Sequence, residues 1–362
     1  MRILGIETSC DETAAAVVED GSRLLSNVVA SSMDLHIPYG GVVPEIAARS
    51  HIEVILPVIE QALDEANCGW DDIDGIAVTY GAGLGGSLLI GVLTARTLAI
   101  AHDKPLYAIN HVEAHVYANF LTELGAGLEG GGSSTSPAYR MPSTAPSFPM
   151  LAIIVSGGHS QLVLFQNHFD YVLLGQTHDD AIGEAFDKVA KMLGLPYPGG
   201  PSVSRAALNG DPLAFKLPKA KMDKYDFSFS GLKTAVLRLA QSEIGERHDF
   251  PSTKLAERLS EAQKANIAAS FQHTAIETIV DKAKLAIEEY GPKSVVIAGG
   301  VAANQELRRQ LTEGLPLPIE FPDLKLCTDN GAMIATLGCY KAMNNQPVAD
   351  PYTLDIAPNL SM

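Results

Sequence analysis

Met1-Arg-Ile-Leu-Gly-Ile-Glu-Thr-Ser-Cys10-Asp-Glu-Thr-Ala-Ala-Ala-Val-Val-Glu-Asp20-Gly-Ser-Arg-Leu-Leu-Ser-Asn-Val-Val-Ala30 reads as three short β-type runs broken by two turns. Residues 3–6, 13–18 and 24–30 are apolar, β-branched or small. The turn formers Ser9-Cys10-Asp11-Glu12 and Asp20-Gly21-Ser22 separate them. Runs this short, joined this tightly, predict an antiparallel meander. A helical segment follows, with Pro44 near its start and Ile52, Ile55, Leu56, Ile59 and Leu63 on one stripe; Pro57 is expected to kink it. Next comes βα alternation: a strand over 73–80, a helix over 87–101, a strand over 106–110 and a helix over 111–121.

The order then repeats. Residues 122–149 hold Gly130-Gly131-Gly132, Ser133-Ser134, Pro137, Pro142, Pro146 and Pro149, the composition of a linker or insertion. Beyond them, 151–155, 161–165 and 171–174 give three further strands, followed by helices over 182–193 and within 230–290. The pattern ends βαβα over 294–297, 304–311, 319–321 and 331–342. A repeated meander with βαβα units predicts an α/β fold of two ribonuclease-H-like lobes facing each other across a cleft, the architecture of actin, sugar kinases and the Hsp70 ATPase. The expected domains are 1–121, the first lobe with its histidine helix; 122–149, linker or insertion; 150–345, the second lobe with nucleotide-binding loops and a helical insertion; and 346–362, a C-terminal tail.

Composition narrows the function. A chain of 362 residues, 46% hydrophobic and 19% charged, is globular and too long for one ordinary core. Glu7 interrupts any secretory signal and Arg96 breaks the apolar run 88–101, which predicts a cytoplasmic protein with no membrane partner. Cys10, Cys68, Cys327 and Cys339 lack Cys-x-x-Cys pairing and fit free thiols in a reducing compartment. A net charge of -16 argues at first sight against nucleic acid. Against that, Lys219, Lys221, Lys224 and Lys233 interleave with Phe215, Tyr225, Phe227 and Phe229, either as an RNA-facing patch or, the favoured reading, as a solvated loop over an aromatic cluster.

His111-Val112-Glu113-Ala114-His115 places two imidazoles one helical turn apart on one face, the spacing of metal ligands. A third ligand must come from elsewhere. Asp329, before Asn330-Gly331, sits where an apolar segment gives way to a helix, and two histidines with a carboxylate suit iron or zinc with open positions. The motif is not His-Glu-x-x-His: Glu113 points to another helix face from the one a metallopeptidase needs for its base.

Val155-Ser156-Gly157-Gly158-His159 and Ala298-Gly299-Gly300-Val301-Ala302-Ala303-Asn304 each follow a strand, where side-chain-free amides can surround a phosphate or carbonyl oxygen. Asn304 either caps the next helix or bonds a ribose or base. Tyr197-Pro198-Gly199-Gly200-Pro201 cannot continue a helix and is expected to turn back, bringing Gly200 beside Asp187. Asp11 and Glu12 are candidate catalytic acids in the first turn. Gly81-Ala82-Gly83-Leu84-Gly85-Gly86 satisfies a dinucleotide fingerprint, but the meander and long helix before it displace it from the first βα turn, where that fingerprint belongs.

Taken with Glu7-Thr-Ser-Cys-Asp-Glu-Thr13, Gly183-Glu-Ala-Phe-Asp-Lys188, Phe227-Ser-Phe-Ser-Gly-Leu-Lys233 and Cys327-Thr-Asp-Asn-Gly-Ala332, these motifs resemble, nearly end to end, the tRNA threonylcarbamoyladenosine transferase family, formerly called O-sialoglycoprotein endopeptidases. The resemblance implies transfer of the threonylcarbamoyl group of threonylcarbamoyl-AMP to N6 of the adenosine just 3′ of the anticodon, with release of AMP. It implies a metal, one divalent ion per subunit, on His111, His115 and Asp329, iron(II) being favoured and zinc the alternative. It implies substrate binding by Ile154, Val155, Ser156, Gly157, Gly158, Asp187, Gly200 and Asn304. The implied partners are tRNA, a homologous non-catalytic subunit and a small ATPase. Many relatives carry Gly-Pro-Gly-Leu where this chain has Gly81-Ala82-Gly83-Leu84, and an acid where it has Ser204. Three rivals stand beside this reading: a metallopeptidase, an ATP-dependent kinase and a non-catalytic nucleotide-binding scaffold of the same fold. The position of Glu113 counts against the first, the histidine pair, which a kinase does not need, against the second, and retention of both histidines and Asp329 against the third.

Overall fold

The strand that opens the chain, β1 (Arg2–Glu7), lies inside its sheet: Ile3, Leu4 and Ile6 have no exposed surface. A strand without a wet face needs a covering layer on both sides. The computed structural model describes residues 1–129 and 139–362; Gly130-Gly131-Gly132, Ser133-Ser134 and Pro137 of the expected linker lie outside the described residues. β1 pairs antiparallel with β2 (Glu12–Glu19) and β2 with β3 (Arg23–Ser31), as the meander predicts. β4 (Gly75–Gly81) runs parallel to β1, β5 (Leu106–Asn110) parallel to β4, and the two-residue β6 (Glu123–Leu124) parallel to β3.

A second sheet repeats this plan. β7 (Met150–Val155), β8 (Ser160–Asn167) and β9 (Asp170–Gln176) form the meander, and β10 (Ser294–Ala298) runs parallel to β7. The order β10-β7-β8-β9 matches β4-β1-β2-β3 strand for strand, so each half is built on a ribonuclease-H-like sheet. The expected strand over 319–321 reduces to one bridge, Ile319 to Val295. Pro318 and Pro322 flank it, and a residue without an N–H cannot extend a ladder.

The longer helices are α1 (Pro44–Glu65), α2 (Gly85–Ala101), α3 (His111–Tyr117), α4 (Ile182–Leu193), α5 (Gly199–Ala207), α6 (Ser230–Glu243), α7 (Glu261–Tyr290), α8 (Gln305–Gly314) and α9 (Gly331–Met343). α1 continues through Pro57 and buries His51, Ile55, Val58, Ile59 and Ala62. Ile52 and Leu56 of the expected stripe lie outside, 61% and 55% exposed. None of the described helices is long and apolar enough to cross a membrane.

Two compact units result: Met1–Pro146 with Phe321–Met362, and Ser147–Glu320. This corrects the boundaries expected from element order, because residues 321–345 belong with the first sheet and 122–149 is not one linker. β6 joins the first sheet, while Ser147 N–H already donates to Ser294 Oγ (3.1 Å) in the second unit. The physical reason lies in α9, which is buried from Gly331 to Cys339 and needs a flat bed. It finds one on β1 and β2, where a Cβ on Gly5 would come within 2.4 Å of Gly331 O and one on Gly331 within 2.5 Å of the Ala15 backbone. Only glycine allows that approach. Leu4, Ile6, Val17 and Val78 pack on the opposite face against α1 and α2 through Ile55, Val58, Ile59 and Val92.

Candidate functional site

In the first unit, β5 ends in Asn110, whose Oδ1 accepts from the N–H groups of Val112 (2.9 Å) and Glu113 (3.3 Å) and so starts α3 directly at the strand end. The i,i+4 spacing brings the His111 and His115 rings to 4.7 Å, edge to face. Asp329 immediately precedes Asn330, the N-cap of α9, whose Oδ1 accepts from Met333 N–H (3.0 Å). Packing α9 against β1 delivers Asp329 to the histidines: its Oδ1 lies 3.5 Å from His111 Nε2 and 3.2 Å from His115 Nε2. One donor atom from each of the three residues falls within 4.8 Å of the others.

Behind His111 stands a carboxylate that the motif reading had not assigned to the site. Glu7, fully buried, approaches His111 Nδ1 to 3.1 Å through Oε2, which also accepts from Thr79 Oγ1 (2.6 Å); its Oε1 accepts from Ser9 N–H. Ser9 Oγ lies 3.1 Å from the same ring nitrogen. Burial opposes charge on His111, but Asp329 and Glu7 outweigh it and push the imidazole up to about 9. Burial likewise raises Glu7, and His111 more than reverses it. The pocket therefore favours a positive charge. Two imidazole nitrogens, one carboxylate oxygen and a second carboxylate backing one ring fit a divalent transition metal and its outer shell. His115 Nδ1 is buried with no partner among the described residues.

Glu113 keeps away from this convergence, as the helix geometry predicts. Its Oε1 is buried without a partner among the described residues, and burial, partly offset by Lys341, pushes its carboxyl up to about 7. Asp11 and Glu12 form the β1–β2 turn and the start of β2. Asp11 Oδ2 and Glu12 Oε2 are buried without partners among the described residues, while Glu12 Oε1 accepts from Ser31 Oγ (2.9 Å). Burial raises Glu12 to about 7, with the charges of Asp11 and Asp329 adding.

The second unit gathers the glycine loops. Beyond Ile154 and Val155 at the end of β7, Ser156 N–H donates to His159 O (2.8 Å) and His159 N–H to Ser156 Oγ (3.0 Å), closing a tight turn. A Cβ on Gly157 or Gly158 would meet nothing within 4 Å, so this backbone stands open. Gly299, at φ +91°, lies over Val155 O with no room for a side chain. Asp187 Oδ1 accepts from Gly199 N–H (2.7 Å), which sets the neighbouring Gly200 beside it, again facing open space. Burial raises the Asp187 carboxyl.

Asn304 takes the capping alternative. Its Oδ1 accepts from Leu307 N–H (3.0 Å), and Nδ2 donates to Ser204 Oγ and Gln272 Oε1 (3.0 Å each). Ser204 Oγ in turn donates to Gly200 O (2.9 Å) or Gln272 Oε1 (2.8 Å). Gln272 escaped the sequence reading, and nothing in the local pattern singles it out, because α7 also buries Ser270, Thr274 and Thr278. In the lysine-rich stretch Lys219 pairs with Glu277 (2.8 Å) and Asp281 (2.6 Å), Lys224 with Glu289, and Lys233, on α6, with Asp180 (2.8 Å), while Lys221 is exposed. Tyr225, Phe227 and Phe229 are buried beneath it.

Known sequences supply independent information. The sequence model of the family described as tRNA N6-adenosine threonylcarbamoyltransferase matches residues 23–336. A protein of that name from Thermomicrobium roseum is 48% identical over 370 residues, covering 100% of this chain and 97% of its own length. One from Dehalococcoides mccartyi is 46% identical over 364 residues, covering 100% and 99%. Another, from Desulfitobacterium hafniense, is 46% identical over 369 residues, covering 100% and 98%.

Proposed function

Because the chain belongs to the tRNA N6-adenosine threonylcarbamoyltransferase family, we propose that it moves the threonylcarbamoyl group of threonylcarbamoyl-AMP to N6 of adenosine 37 in tRNAs reading codons that begin with A, releasing AMP. The observation that carries the assignment of residues is the convergence of His111 Nε2, His115 Nε2 and Asp329 Oδ1 on one point. These three hold one divalent metal, iron(II) by preference for a two-histidine, one-carboxylate set and zinc as the alternative. Such an ion, when bound, acts as a Lewis acid toward acyl or phosphoryl oxygens. Glu7 and Ser9 fix the His111 ring so that Nε2 keeps its lone pair on the site.

Ile154, Val155, Ser156, Gly157 and Gly158 surround the adenylate, with the bare Gly157 and Gly158 amides donating to its oxygens. Asp187 and Gly200 receive the ribose, and Asn304 reaches the nucleotide by exchanging its bonds to Ser204 and Gln272. In the transfer, a bond forms between N6 and the carbamoyl carbon, and the bond from that carbon to the phosphate oxygen breaks. The amine proton passes to the Glu12 carboxylate, the candidate base, with Asp11 beside it. The adenosine is presented unstacked, since its N6 must reach an acyl carbon. A homologous non-catalytic subunit and a small ATPase assist in the cytoplasm and carry tRNA contacts that this chain, with a net charge of -16, does not supply.

The test is reconstitution with labelled threonine, bicarbonate, ATP, a synthase, the partners and unmodified tRNA, read by nucleoside mass spectrometry. Wild type yields modified adenosine and His111→Ala yields none while remaining folded. Absence of product with wild type, where an authentic relative succeeds in the same mixture, overturns the proposal.

A further inference from the structure

The Gly81-Ala82-Gly83-Leu84-Gly85-Gly86 loop is not used by the reading above, and the structure gives it a different occupant from a phosphate. A Cβ on Gly81 would stand 2.0 Å from Ala357 O, and one on Gly83, at φ +154°, 2.5 Å from Ser9 O. Gly83 N–H donates to Pro358 O (3.1 Å), Leu84 N–H to Ser9 O (2.7 Å) and Ala357 N–H to Tyr80 O (2.7 Å). The glycines thus admit the C-terminal segment on one side and the β1–β2 turn on the other. Gly81 and Gly83 are therefore closed to a phosphate.

That segment is tied down along its length. Ala349 N–H donates to Leu106 O (2.7 Å). The Arg96 guanidinium on α2 then spreads over three carbonyls: Nε to Pro351 O (2.6 Å), Nη2 to Tyr352 O (2.6 Å) and Nη1 to Leu354 O (3.2 Å). Charge-assisted bonds in a rigid fork hold a backbone in one course. At the far end, Asn110 Nδ2 donates to Ser361 O (3.1 Å).

Asn110 joins this segment to the histidines. Its amide nitrogen is held by Ser361 O while its oxygen caps the first turn of α3, so the carbonyl of Ser361 selects the orientation in which the cap forms. α3 has only seven residues, and a helix so short depends on its cap and its packing. A second route runs through the loop: Leu84 holds Ser9, and Ser9 Oγ lies against His111 Nδ1.

We propose that residues 349–361 are a positioning strap for the metal helix, clamped by Arg96 and acting on His111 through Asn110 and through the Gly83-Leu84 loop. The proposal rests on the metal reading given above. It is tested by titrating the full-length metal-stripped protein with Co2+ and recording the visible ligand-field bands. The variants are a chain ending after Leu360, Arg96→Ala, and Asn110→Asp, which keeps the cap acceptor and loses the donor to Ser361. Thermal unfolding is followed in parallel.

Each variant is expected to bind Co2+ about tenfold more weakly, with shifted bands, as outer-shell changes do. The chain ending after Leu360 should do so with an unfolding midpoint close to that of wild type, which separates positioning from loss of fold even where Arg96→Ala unfolds. Wild-type affinity and bands in both the shortened chain and Asn110→Asp would overturn the strap and leave the metal site standing. A wild-type protein that binds no Co2+ would overturn the metal reading itself, and the strap with it.

Discussion

The β1–β2 turn of the first unit and the β7–β8 turn of the second follow equivalent strands of equivalent sheets, yet they are finished in opposite ways. At the first, side chains fill the space: Glu7 accepts from the Ser9 N–H, Ser9 Oγ reaches His111, and Asp11 is buried. At the second, Gly157 and Gly158 leave the backbone bare. The loops after the fourth strands differ in a related way. Gly81 and Gly83 are closed over by the chain itself, whereas Gly299 makes room for Val155 beside the open turn. One fold position can therefore become either a pocket of preorganised charge or a cradle of free amides, and the local residues decide which.

The largest effect should come from breaking the charged side of this comparison. Asp329→Ala removes the ligand common to both histidines and is expected to lower transfer on the order of 10³-fold, the equivalent of losing several kcal/mol of Lewis-acid stabilisation. Its affinity for adenosine, which lacks the acyl and phosphoryl oxygens that the ion would meet, should be unchanged by calorimetry. Next comes Glu7→Gln, which keeps the shape behind His111 and weakens its hydrogen-bonded charge. Metal affinity should fall about 10–100-fold, read by competition with a chelating dye.

How much of this was legible beforehand depended on distance along the chain. The histidine pair lies within one turn of one helix, and the duplicated meander within two short stretches, so periodicity and turn chemistry exposed both. Asp329 could be placed by its neighbours where an apolar segment gives way to a helix. The domain boundary could not, because element order does not say which sheet α9 covers. That was decided by Gly5 and Gly331 fitting each other, a contact between the two ends of the chain. For the same reason the sequence leaves Glu7 outside the metal site and gives the Gly81 loop no role once the dinucleotide fingerprint is set aside. Their partners are His111 and Ala357, far away in sequence.

Glycine substitutions sharpen the contrast at smaller amplitude. Gly331→Ala forces a methyl into the Ala15 backbone and should cost about 2–3 kcal/mol in urea unfolding, as overpacking does. Gly158→Ala, facing open space, should change stability by about 0.5 kcal/mol or less. It should nonetheless weaken adenylate binding measurably in the same calorimeter, because the new methyl occupies the cradle.

The smallest effect concerns His51, buried on α1 between Thr13 Oγ1 (2.7 Å) and Cys10 O (3.0 Å). Burial lowers its pKa below the ordinary 6.5. The unfolded chain takes up a proton near that value and the folded chain does not. The stabilisation is therefore whole above it and is lost progressively as pH falls through it toward the folded value. Urea midpoints at about pH 7.5 and about pH 5.5 should converge in His51→Asn relative to wild type.

The most direct measurement is the rate of adenosine modification by chelator-stripped protein, by nucleoside mass spectrometry, before and after one equivalent of iron(II) is returned under anaerobic conditions. The metal-centre account predicts no product from the stripped wild type, recovery on adding iron, and no recovery for His115→Ala. Full-rate modification by the stripped protein would contradict it.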